Sequence, residues 1–109
     1  MKEDPETLFE LMLSADRFCR IVREQLNDRC ASEELRLKLA QSIGSVQRLR
    51  QLYERDELLI GNSVARAEIR QLLLSMMWVC FYARDSIDRK TFRLAVNVQA
   101  TFTYLLSVN

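Results

Sequence analysis

The sequence contains no histidine, only two glycines and one proline. Histidine is the side chain that most often serves as general base or metal ligand near neutral pH, so Ser-His-Asp and Cys-His catalytic arrangements are excluded. Gly44 and Gly61 lie too far apart to form a phosphate-binding glycine loop. The scarcity of glycine and proline also argues against collagen-like or linker sequence and against a fold rich in tight turns.

The three cysteines, Cys19, Cys30 and Cys80, are widely spaced and include no C-x-x-C pair. This spacing fits neither a zinc ribbon nor a thioredoxin-type redox pair, and an odd number is untypical of a small secreted disulfide scaffold. We therefore expect reduced thiols, no intrachain disulfide, no structural metal and no cofactor. The corresponding compartment is intracellular, with the cytoplasm as the first expectation and the nucleus left open.

Charge and hydropathy argue against a strong attraction to polyanions and against membrane insertion. The 16 basic and 15 acidic side chains nearly cancel, so the chain lacks a strong field of one sign. The most apolar stretch, residues 72–83, is shorter than the roughly 20 residues that a helix needs to cross a bilayer. The acidic N-terminal residues are unlike the basic start of a signal peptide. We expect no contact with membranes.

The chain of 109 residues is long enough for one domain, and it contains no linker, repeat or low-complexity tract. Three segments carry apolar residues at helical spacing. The first helix is expected to be capped by Asp4 and to end near residues 27–28. The second is expected to be capped by Ser32 and to end between residues 54 and 60. The third is expected to be capped by Asn62 or Ser63 and to end at Arg84. Residues 1–109 are therefore predicted to form one all-α bundle of four main helices, with the third helix central.

The fourth segment, residues 88–109, supports two interpretations. Its apolar residues alternate from Phe92 to Val108, which is typical of a strand. A strand of this length is unusual because about five to six residues is the norm, and the other segments offer no strand to pair with it. We therefore predict a helix capped by Asp85 or Ser86, with a β-hairpin or an exchanged strand as the alternative.

The third segment has apolar residues on two opposite sides. One stripe is suited to the core and consists of Ala65, Ile69, Leu72, Met76, Val79 and Ala83. The opposite side carries Arg70, Leu74, Trp78 and Phe81, and tryptophan and arginine are favoured at interface hot spots. We predict that this side, together with Phe102 and Leu105 of the uncharged fourth segment, forms a homodimer interface. The alternative is a central helix that is buried on all sides.

Arginine outnumbers lysine by thirteen to three, and its forked guanidinium suits contacts with carboxylates and phosphates. Basic residues form two groups, Arg36, Lys38, Arg48 and Arg50 in the second segment and Arg89, Lys90 and Arg93 at the start of the fourth. The first group does not fall on one helical stripe, and Asp85 and Asp88 dilute the second. Nucleic-acid binding through these side chains is therefore the alternative function.

Carboxylates do not form an evident catalytic pair. The adjacent acids at 33–34 and 56–57 would point about 100° apart on a helix and would not converge on one atom. We therefore predict no catalytic and no metal-binding residues. The leading interpretation is a non-enzymatic, self-associating adaptor or regulatory subunit that binds itself and one or more other proteins.

Overall fold

The computed structural model describes residues 5–26 and 32–108. They form four α-helices, and no strand occurs among them: α1 (Pro5–Gln25), α2 (Glu33–Glu54), α3 (Ser63–Tyr82) and α4 (Arg89–Val108). Helices account for 84% of these residues, which confirms the predicted all-α bundle.

Side-chain caps explain where α2 and α3 begin. Ser32 accepts a hydrogen bond from the amide of Leu35 at 3.1 Å, and Asn62 accepts from the amides of Val64 and Ala65 at 2.8 and 3.1 Å. These bonds satisfy amides that the first turn of a helix leaves without intrahelical partners. Both caps were predicted, whereas the expected Asp4 cap and the stop at residues 27–28 lie outside the described residues.

The fourth helix, Arg89–Val108, agrees with the predicted segment 88–109, but its cap is not the predicted one. The cap is Asp88, whose carboxylate accepts the amide of Thr91 at 2.8 Å, and not Asp85 or Ser86. The chain first turns after α3, where the amides of Ser86 and Ile87 both donate to the carbonyl of Ala83. This turn uses the residues that were expected to start the helix.

Each helix contacts two others: α1 and α3 both pack against α2 and α4. The third helix is therefore not central, in contrast to the prediction. Four helices around one core occupy equivalent corners, and each of them keeps a side that faces outward. In α3 the inward side is the predicted core stripe, whose six residues are all 0% exposed.

The fourth segment is helical despite its alternating pattern. Its buried side chains recur three or four residues apart and are Thr91, Ala95, Val98, Phe102 and Leu105. The alternate apolar residues Phe92, Val96 and Tyr104 lie outside the core and are exposed. The helix therefore buries only some of the apolar residues of this segment, and other residues of the alternating pattern lie at the surface.

Candidate protein interface on helix α3

The outward side of α3 carries large apolar side chains that the fold leaves in contact with solvent. Leu74, Met77 and Phe81 are 51%, 50% and 52% exposed, Tyr82 is 37% exposed, and Trp78 is half-buried. We call these five residues the α3 apolar face. Each of them lies three or four residues from at least one other, which places all five on one side of the helix.

Three aromatic rings of the α3 apolar face pack against one another. The ring centroids of Trp78 and Tyr82 are 5.8 Å apart and the rings are stacked, whereas Phe81 meets both edge-on at 5.8 and 5.3 Å. Such mutual packing restricts the rings before any partner arrives. Less side-chain entropy is then lost when another surface covers them.

Two arginines lie at opposite ends of this face. Arg70 is exposed one turn before Leu74. At the other end the guanidinium of Arg84 lies 4.7 Å from the centroid of the Phe81 ring and donates to the Phe81 carbonyl at 2.7 Å. The face therefore has an apolar middle and positively charged ends, as interfaces with a dry centre and polar rim do.

The structure brings together four of the six predicted interface residues. Arg70, Leu74, Trp78 and Phe81 share the outward side of α3, as expected. Phe102 and Leu105 do not join them, because they are 1% and 4% exposed in the core of the same chain. Sequence reasoning missed Met77 and Tyr82, although Met77 follows Leu74 by three residues and Tyr82 follows Trp78 by four.

The α3 apolar face continues towards α4. The side-chain amide of Gln99 on α4 donates to the carbonyl of Leu73 at 3.3 Å, so Gln99 lies on the side of α4 that faces α3. Val96 and Phe92 precede Gln99 by three and seven residues and so lie on that side. Both are 43% exposed, and they extend the apolar surface beyond α3.

The predicted basic residues separate into two sets. The side chain of Gln25 donates to Asp88 at 3.3 Å, so the end of α1 and the start of α4 meet at one end of the bundle, where α2 also begins. This end, which we call the basic end, carries Arg36, Arg89, Lys90 and Arg93, interspersed with Glu33, Glu34, Asp85 and Asp88. Lys38 instead lines a pocket between α2 and α3 together with Arg48 and Leu74. Arg48 is also paired with Glu68 at 2.8 Å, whereas Arg50, two residues further along α2, is exposed on another side of the helix.

Residues 5–26 and 32–108 contain no group of three Cys, Asp or Glu side chains arranged to hold a metal ion. Cys19 and Cys80 are free thiols in the core, and Cys30 lies outside these ranges. Of the four described helices, none combines the length and apolar character that crossing a bilayer requires.

Comparison with protein families, with curated proteins and with solved structures finds no match. Function is therefore inferred from the surface chemistry of the chain itself.

Proposed function

We propose that the protein is an intracellular, non-enzymatic interaction module that forms a homodimer through the α3 apolar face and serves as an adaptor or regulatory subunit in a larger assembly. The observation that carries this proposal is the exposure of Leu74, Met77 and Phe81 on one side of α3, each about half accessible in the folded monomer. Contiguous apolar surface on a soluble domain marks a site of association.

Burial of this face contributes favourable free energy to association. A large apolar side chain that is moved from water into a dry contact contributes roughly 1.5–3 kcal/mol, before the cost of association is subtracted. Residues that are already half-buried contribute proportionately less. Five adjacent residues that include a tryptophan still resemble the aromatic anchors that dominate measured interfaces.

A second copy is the partner that this surface fits. A two-fold axis through the middle of the α3 apolar face brings like residues together at the centre. If the two α3 helices run antiparallel, Arg70 of one protomer lies near Arg84 of the other at each end of the contact. Apolar groups then meet at the centre, and the arginines remain at the rim, where solvent and salt screen their charges.

Light scattering coupled to gel filtration tests the proposal, since a dimer has twice the chain mass of 12.8 kDa. Leu74→Glu places a charge in the dry centre and should yield a monomer, because an unpaired buried charge is costly. Val64→Glu is the matched control: Val64 is 58% exposed on the same helix but lies outside the face. It should remain a dimer.

Phe81→Glu provides a second disruption, and circular dichroism checks that each variant is folded. Trp78→Glu should also dissociate the dimer. Because Trp78 is half-buried, this substitution also perturbs the fold, and its result counts only if circular dichroism shows a folded protein. A monomeric wild-type protein at micromolar concentration, or folded Leu74→Glu and Phe81→Glu variants that both remain dimers, would rule out this interface.

Nucleic-acid binding is the second candidate, favoured by the basic residues Arg36, Arg89, Lys90 and Arg93 at one end of the bundle, although α2 and α4 do not pack against each other there. The acidic residues among them weaken the positive field at this end, so nucleic-acid binding ranks behind the dimer as a candidate function. Binding of a labelled DNA duplex should fall steeply with salt, because phosphate contacts release counterions. It should also fall in an Arg36→Glu, Lys90→Glu variant. Absence of binding at low salt would exclude this candidate.

A further inference from the structure

The seam between α1 and α2 is closed at one end and open at the other. At the closed end the rings of Phe9 and Tyr53 stack with centroids 4.0 Å apart, and the Tyr53 hydroxyl donates to the Glu6 carboxylate at 3.0 Å. Towards the basic end the two helices leave a cleft of about 380 Å³ between them. A volume in this range is typical of sites for small molecules.

The cleft has an apolar floor and a cation on each wall. The floor is formed by Leu26, Leu35, Leu39, Ala40 and Ile43. Arg23 reaches it from α1 and Arg36 from α2, and both arginines are exposed. An apolar body could therefore lie on the floor while an anionic group meets guanidinium groups from two helices.

Neither arginine is neutralised by an ion pair within the described ranges. The two ion pairs found there join Arg20 to Asp16 and Arg48 to Glu68. Glu33 and Glu34 lie in the first turn of α2, but neither approaches Arg36 closely enough to form such a pair. Among the described residues, no carboxylate therefore competes with a ligand for the guanidinium donors of Arg23 and Arg36.

We propose that this cleft binds a small carboxylate with an apolar chain, such as a short fatty acid. Arginine binds carboxylates through two parallel hydrogen bonds, which fixes both position and orientation. The cleft runs along α2 from Leu35 to Ile43, about 12 Å at the rise of an α-helix. This length suits a short acyl chain. The site lies on the seam between α1 and α2, separate from the α3 apolar face, and it does not depend on dimerisation.

Titration calorimetry with three probes of equal chain length tests the proposal: decanoate, decanol and decyltrimethylammonium, each below its micelle concentration. Decanoate should bind most tightly, decanol more weakly and the cation least. The double variant Arg23→Gln, Arg36→Gln should lower the affinity for decanoate by about tenfold or more. It should leave the affinity for decanol unchanged. Arg50→Gln, an exposed arginine of α2 outside the cleft, is the matched control and should bind decanoate like the wild type.

Ala40→Trp tests the position of the site, because the indole would fill the cleft from an exposed position without removing a core side chain. It should abolish decanoate binding while the helical signal in circular dichroism is kept. Failure of decanoate to bind, equal affinities for decanoate and decanol, or an unchanged affinity in the double arginine variant would each overturn the proposal. None of these outcomes alters the mass measurements that test the dimer.

Discussion

Ser42 on α2 donates a 2.7 Å hydrogen bond to the hydroxyl of Ser75 on α3, and both side chains are buried. Ser75 in turn donates to the carbonyl of Leu72 at 3.1 Å. The two serines are therefore not equivalent: Ser42 depends on Ser75 as an acceptor, whereas Ser75 keeps a partner for its proton if Ser42 is removed.

This asymmetry predicts unequal costs for two similar substitutions. Ser75→Ala leaves the buried Ser42 hydroxyl without its acceptor and should lower the free energy of unfolding by about 1–3 kcal/mol. Ser42→Ala should cost less, about 0.5–1.5 kcal/mol, because only the hydrogen bond is lost. The double variant should be less destabilised than the sum of the two. Urea unfolding measures all three, and a greater cost for Ser42→Ala would contradict the prediction.

The sequence was a good guide to the parts of the fold that depend on local rules. The core stripe of α3 and the caps Ser32 and Asn62 could be predicted, because helical spacing and capping involve residues close in the chain. The cap of α4 was misplaced since Asp85, Ser86 and Asp88 are all good capping residues. Asp85 and Ser86 lie in the turn that follows Ala83, so Asp88 is the residue that caps α4.

Only part of the candidate interface could be predicted from the sequence, because it depends on packing between helices and not on local rules. Whether an apolar residue of a helix faces the core or the solvent depends on which helices pack beside it. Phe102 and Leu105 were assigned to an interface because the fourth segment has no charged residue after Arg93. Packing against α1 and α3 instead turns them inward and leaves Tyr104, between them, 63% exposed.

The core cysteines should be unreactive in the folded protein. Burial raises the pKa of Cys19 to about 12 and that of Cys80 to about 11, with the carboxylate of Asp16 adding to the effect at Cys19. Because the thiolate is the nucleophile, neither should react quickly with Ellman's reagent near neutral pH. A Cys30→Ser variant isolates them. In guanidinium this variant should show two reactive thiols, and in buffer it should show no fast-reacting thiol. A fast phase in buffer would contradict the burial of Cys19 and Cys80.

Asp88 should make stability depend on pH in the acid range. Hydrogen bonds from the side chain and amide of Thr91 lower its pKa below the ordinary value of 3.8. Its contribution to the free energy of unfolding is therefore complete above that value and is lost as the pH falls through the lower pKa of the folded state. Asp88→Asn should flatten this part of the profile measured by urea unfolding. Asp85→Asn, an exposed neighbour, is the control and should leave it unchanged.

Arg66 should hold the last turn of α4 in place. Its guanidinium donates to the carbonyl of Leu106 at 2.9 Å and to that of Ile60 at 3.1 Å, so it joins the end of α4 to the loop before α3. Arg66→Ala should lower the free energy of unfolding by about 1.5–3 kcal/mol, as expected for hydrogen bonds to a charged group. Amide hydrogen exchange should quicken around residues 104–108, and Arg50→Ala is the control. Unchanged exchange there would show that packing alone orders this turn.

Trp78 should report dimer formation directly, because it is the one tryptophan of the chain and belongs to the α3 apolar face. Half-buried in the monomer, its indole loses further contact with water when a second copy covers the face. Its emission should therefore move to shorter wavelength as the protein concentration rises through the dissociation constant. Leu74→Glu should abolish this concentration dependence, whereas Val64→Glu should retain it. If the mass doubles while the emission of Trp78 stays constant, the dimer forms through another surface, and the α3 apolar face is left for a different partner.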